Sequence, residues 1–138
     1  MNSRPRLNGL RGAGLLAGAV YCLTRGLGYL PIAGDVPEKL PGGLQLLATA
    51  LSIEVWGGIW LCIGIVCALR AFSPNDALAW GLLVGIMAAW GAAYALGWGL
   101  SLLVSPGSRE WLSALTYLGP AAIIAALSAR TARRDDAQ

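Results

Sequence analysis

The chain has 138 residues, of which 57% are hydrophobic and only 12% charged, and its net charge is +3. Soluble domains carry about a quarter charged residues, so this composition excludes an ordinary water-soluble globule and points to an integral membrane protein. The basic residues gather at chain ends and segment boundaries instead of on one face, which argues for membrane topology and against a nucleic-acid partner.

Four stretches are long and apolar enough to cross about 30 Å of hydrocarbon as helices. The first, residues 10–30, carries Arg11 and Arg25 towards its two ends. Its "AGA" at 17–19 would permit a cleaved leader, but the apolar run continues past it, so it reads as a span. The connection "PIAGDVPEKLPGG" (31–43) is rich in proline and glycine, as a real loop should be. The second span is expected over 44–69. "SPND" (73–76) reads as a helix start, with Ser73 as N-cap and Pro74 in the first turn, leading into a third span over 77–104. "SPGSRE" (105–110) offers Ser105 or Ser108 as the cap of a fourth, 111–129, in which Pro120 should bend the helix or mark its first turn. "RTARRDDAQ" (130–138) is then a short exposed tail. The expected fold is all-α: one membrane domain, a bundle of four transmembrane helices.

Basic residues in short flanks orient such a bundle. Arg4, Arg6, Arg11, Arg70, Arg130, Arg133 and Arg134 fall on one side, against Lys39, Arg109 and the boundary residue Arg25 on the other. Both termini are therefore expected in the cytoplasm, with the chain in a bacterial cytoplasmic membrane.

Helices in lipid associate through close packing, so small residues at four-residue spacing mark contact faces. Gly14 and Gly18 in the first span, Gly57 and Gly58 in the second, and Gly81 and Gly85 in the third are the candidate packing positions. Arg25 shares a face with Gly14 and Gly18, and Glu54 shares one with Ala50, Gly57 and Gly58. The two charges therefore read as a candidate intramembrane pair, Arg25–Glu54, because a long arginine can cover the depth gap between them. A titrating Glu54 in a watery path is the functional alternative, although no second acid and no histidine is available to pass a proton on. Gln45, Thr49 and Ser52 line a further face that would either wet a pore or bond between helices.

"WGGIWLCIG" (56–64) and "WGAAYALGWG" (90–99) share Trp-Gly-x-x-aromatic. Trp56 with Trp60, and Trp90 with Tyr94 and Trp98, form an aromatic stripe at helical spacing, read first as core packing. Cys22, Cys62 and Cys67 lack metal or redox spacing, and the chain has no His, so no metal and no cofactor is expected. No nucleophile–base set, phosphate loop or acidic cluster occurs, and the chain reads as non-catalytic.

The Arg-rich ends "MNSRPRLNGLRGAG" and "RTARRDDAQ" together with the Trp-Gly spans give the chain a compositional resemblance to small four-helix membrane proteins of high-GC actinobacteria and their phages. That resemblance implies a holin-like protein at most and brings no functional residues with it. The sequence thus points to a non-catalytic membrane protein acting through helix packing and association with lipid, with further copies of itself or with another membrane protein. A small ion- or proton-coupled carrier or channel using Glu54 is the alternative.

Overall fold

The computed structural model describes residues 7–34, 40–104 and 109–135, and among these every regular element is helical. In chain order they are α1 (Gly9–Gly28), a single 3-10 turn (Pro31–Ala33), α2 (Gly42–Ala50), α3 (Ile53–Arg70), α4 (Ala77–Val104) and α5 (Glu110–Asp135). Three of them, α3, α4 and α5, are long and apolar enough to cross a membrane. Less than half of each spanning stretch is buried, and Leu69, Leu78, Leu96, Leu103, Leu115 and Ile123 are among the large side chains left exposed. A water-soluble monomer rarely shows apolar surface on this scale; hydrocarbon accounts for it. Arg11 and Arg25 dilute α1 enough that its composition alone does not qualify it.

The expected second span over 44–69 is not one helix. It breaks at Leu51 and Ser52, and the cause is local: Ser52 has extended backbone (φ −59°, ψ 152°) and its hydroxyl accepts from the Val55 amide at 3.4 Å. A serine that takes an N-cap satisfies an amide the helix itself leaves open, so α3 starts afresh. Alone, its 18 residues extend about 27 Å, nearly the thickness of the hydrocarbon. The third span runs over the expected 77–104, but Ser73 is not its cap. The helix begins at Ala77, with Asp76 at the cap position and the Asp76 carbonyl accepting from Trp80 N. Ser73 instead bonds Asn75 N within the loop. At the far end α5 runs past Ala129 to Asp135, so most of the expected tail is helical backbone, and Pro120 lies inside the helix. The expected caps Ser105 and Ser108, the flanking Arg4, Arg6 and Lys39, and residues 136–138 lie outside the described residues.

Two compact units divide the chain, Met1–Glu38 with Leu51–Leu83, and Lys39–Ala50 with Val84–Gln138; α4 contributes to both. In the first unit α1 and α3 run antiparallel with their backbones close together. The buried positions of α1 are Gly12, Leu15, Ala19, Cys22 and Gly26, one stripe at alternating three- and four-residue steps. A Cβ placed at Gly12 would run into the Ala71 carbonyl oxygen, one at Gly64 would come within 3.2 Å of the Ala19 oxygen, and one at Gly26 within 2.8 Å of the Gly57 oxygen. The pairs Gly12–Ala71, Ala19–Gly64 and Gly26–Gly57 advance seven residues at a time, forward along α1 and backward along α3. Seven residues are almost two helical turns, so each step returns a small residue to the same seam. Gly14 and Gly18 lie beside it and receive Trp80 and Leu83 from the start of α4.

Gly58, Gly81 and Gly85 are corrected as packing positions within the chain. A Cβ at each would meet nothing within 4 Å among the described residues: Gly58 stands one residue off the seam, and Gly81 and Gly85 are exposed on α4. In the second unit α4 and α5 pack through Gly91, which accepts Leu118, and through Tyr94 and Tyr117, whose rings stack at 5.7 Å and 11°.

Gly26→Val puts side-chain atoms into the α3 backbone and should destabilise the folded protein in detergent by about 2 kcal/mol or more. Gly58→Ala fills open space and removes a helix-interior glycine, so its thermal midpoint should equal or exceed that of the wild type. Thermal unfolding followed by circular dichroism reads both.

Candidate functional site

At the end of the first unit where α1 begins and α3 finishes, polar groups converge on Asp76. Arg11 donates from Nε to Oδ2 at 2.9 Å and from a terminal nitrogen to Oδ1 at 2.7 Å, a two-point grip on the carboxylate. Trp80 Nε1 donates to Oδ2 at 3.3 Å. Asp76 itself is only 3% exposed. Around it the Asn8 amide donates to Ala71 O at 3.0 Å, Asn8 Nδ2 donates to Ser73 O at 3.1 Å, and Arg70 donates to Asn75 O at 3.3 Å. The result is a clasp that joins the entry to α1 with the α3–α4 turn. Hydrogen bonding from Arg11 holds the Asp76 carboxyl below the usual carboxylate range, against the opposing effect of its burial. Geometrically this is a bidentate arginine–carboxylate contact, and every group in it has a structural task.

The second unit has its own carboxylate contact. Glu110, in the first turn of α5, accepts from Gly42 N at 2.8 Å and Gly43 N at 3.3 Å. These are the first two amides of α2, which a helix leaves without internal partners and which attract negative charge. Glycine makes the approach feasible: a Cβ at Gly43 would sit 2.7 Å from Tyr94 Cα, and one at Gly97 would sit 2.8 Å from the Gly42 carbonyl carbon.

The structure gives the two charges of the expected Arg25–Glu54 pair different neighbours. The Arg25 guanidinium lies 5.7 Å from the centre of the Tyr21 ring, a cation–π contact one turn back on its own helix. Tyr21 in turn meets the buried Trp60 edge-on at 5.9 Å. Glu54 is exposed in the first turn of α3, beside the capping Ser52. The face that was to hold Ala50 with Glu54 and Gly57 does not exist, because Ala50 ends a different helix. Of the aromatic stripe, Trp60, Trp90 and Tyr94 are buried while Trp56 and Trp98 are half-buried. Gln45 Nε2 turns back to Leu40 O and Thr49 Oγ1 to Leu46 O, so the expected polar face is bonded to its own segment.

An open groove of about 570 Å³ runs along α3, lined by Val55, Gly58, Ile59, Cys62, Val66 and Leu82 among others. Its lining is apolar apart from the exposed Cys62 thiol. Among the described residues no group of His, Cys, Asp or Glu could hold a metal ion, and all three cysteines are free. No protein-family model matches the chain, and comparison with curated proteins and with solved structures returns no match.

Sequence reasoning missed Arg11, Asp76, Trp80 and Glu110 as contact-making residues. Arg11 and Asp76 are separated by 65 positions, and no local pattern links them. One signal was available: an arginine inside an apolar stretch needs an acid, and Asp76 is an acid at the same expected end of the bundle.

Because the folded Asp76 carboxyl titrates below its unfolded value of about 3.9, its stabilisation is fully present above that value and is lost as pH falls through the folded value. Wild-type thermal stability should therefore fall on acidification below about pH 4, and Asp76→Asn should lack that component. Arg11→Ala leaves a buried acceptor without its main donor and should cost about 2 kcal/mol near neutral pH.

Proposed function

We propose that this chain is a non-catalytic integral membrane protein of four spans, with both termini on the cytoplasmic side of a bacterial membrane, and that it works by association, as a homo-oligomer or as an accessory subunit of a membrane assembly. The observation that carries the reading is the division of surfaces. The polar clasps at Asp76 and Glu110 are closed by groups of the chain itself, whereas the outward faces of α3, α4 and α5 are apolar. Such a molecule offers mainly helix faces to its surroundings.

The seam between α1 and α3 supports the fourth span. Its pairs run from Gly12 with Ala71 to Gly26 with Gly57, about 21 Å along the axis, so α1 occupies the depth that α3 occupies. The outward face of α1 agrees, since Leu10, Ala13, Ala17, Val20 and Leu27 are exposed. Arg11 and Arg25 then sit near the two boundaries, where long side chains reach the headgroups. Orientation follows from Arg11 and Arg70 at the end that the clasp brings together.

The carrier alternative rests on Glu54 in mid-span. In the first turn of α3 a carboxylate is favoured by the helix dipole and needs no transport role. Purified protein in nanodiscs should have a protein mass above the 14.3 kDa of one chain, or should retain a second membrane protein from its host. Glu54→Gln should leave that assembly intact, and proteoliposomes should show no ion flux that depends on Glu54. A monomer without partner whose flux disappears in Glu54→Gln would replace this reading with the carrier.

A further inference from the structure

We infer that the groove along α3 binds one phospholipid of net negative charge, with an acyl chain in the groove and the phosphate against Arg70. The site rests on the proposed reading that the chain spans a bilayer. The groove supplies the place for the tail. Val55, Ile59, Cys62 and Val66 recur at three- and four-residue steps along one face of α3, Gly58 leaves open space beside them, and Leu82 of α4 forms a further wall. From Val55 to Val66 this face extends about 16 Å, close to the roughly 15 Å that one leaflet of hydrocarbon takes up.

The two ends of the groove are unlike in charge. Where α3 begins, the exposed Glu54 stands next to Val55 and disfavours an anionic headgroup. Where α3 finishes, Arg70 lies one turn beyond Val66 on the same face. The exposed Leu69 and Leu78 carry the apolar walls on towards it. A terminal nitrogen of Arg70 donates to Asn75 O at 3.3 Å, which holds the guanidinium at the α3–α4 turn, at headgroup depth. Among the described residues the ion pair is Arg11–Asp76, and it leaves the Arg70 charge without a carboxylate of its own. A guanidinium grips phosphate through two parallel hydrogen bonds, and Arg70 has donors beyond the one on Asn75 for that contact. Its charge favours an anionic lipid over a zwitterionic one with the same tails.

Photo-crosslinking of the full chain in phosphatidylcholine liposomes tests this. A trace lipid carries a diazirine in its acyl chain and either a phosphatidylglycerol or a phosphatidylcholine headgroup. Peptide mass spectrometry then compares labelling of α3 over 55–66 with labelling of Leu115 and Ile123, which are exposed on α5 and meet bulk lipid. The α3-to-α5 ratio should be about fivefold higher for the phosphatidylglycerol probe, the scale of one arginine facing an anionic lipid. Arg70→Gln should bring it down to the phosphatidylcholine value. Equal ratios for the two probes in the wild type, or a preference that survives Arg70→Gln, overturns the site. So does an α3 left unlabelled by both probes while α5 is labelled, since another protein helix would then fill the groove. A chain labelled on neither helix has not entered the bilayer, an outcome that overturns the membrane-spanning reading and the site with it.

Discussion

The close approach of α1 and α3 governs the rest of the first unit. Between helices in hydrocarbon there is no hydrophobic push, since lipid tails are as apolar as leucine, and association depends on close packing and hydrogen bonds. Gly12, Ala19 and Gly26 on one helix and Gly57, Gly64 and Ala71 on the other remove the side chains that would keep the backbones apart. A seven-residue period keeps those positions in register over four turns. The clasp at Asp76 then closes one end of the seam: it joins Asn8 and Arg11 at the entry to α1 to Ala71, Ser73 and Asp76 beyond α3.

The same physics disposes of the polar groups. A charge or amide facing hydrocarbon alone is expensive, and each polar feature described has an answer close at hand. Asp76 takes Arg11 and Trp80. Glu110 takes the open amides of α2, Ser52 takes the amide of Val55, and Arg25 lies over Tyr21. These contacts occur at helix ends, which are also the positions where backbone groups lack internal partners. The apolar faces between them carry the proposed function of association.

Much of the fold was legible in composition and run length. Helical character, the long apolar stretches and the burial of Trp60, Trp90 and Tyr94 follow from hydrophobicity and aromatic spacing. The break at Ser52 was not legible by those means, because Leu51 and Ile53 keep hydropathy high while a single serine hydroxyl ends one helix and starts the next. That break moves Glu54 from the centre of an imagined span to the first turn of a real one. The seam was obscured for a different reason. A search at four-residue spacing finds Gly14 with Gly18 and Gly81 with Gly85, but it passes over Gly12, Ala19 and Gly26, which recur every seven. Gly57 and Gly58, adjacent in sequence, point about 100° apart around the helix, and only the seven-residue period tells them apart. The Arg11–Asp76 contact depends on topology, since it closes only once α1 and α3 are antiparallel.

Disulfide trapping in a cysteine-free background measures the register of the seam most directly. Two cysteines can be joined only when their Cα atoms lie within about 7 Å. Ala19→Cys should therefore couple to Gly64→Cys under mild oxidation, and should fail to couple to Gly57→Cys or Ala71→Cys, each one repeat away. Coupling at either displaced position, or its absence at position 64 in folded protein, would contradict the antiparallel seven-residue seam.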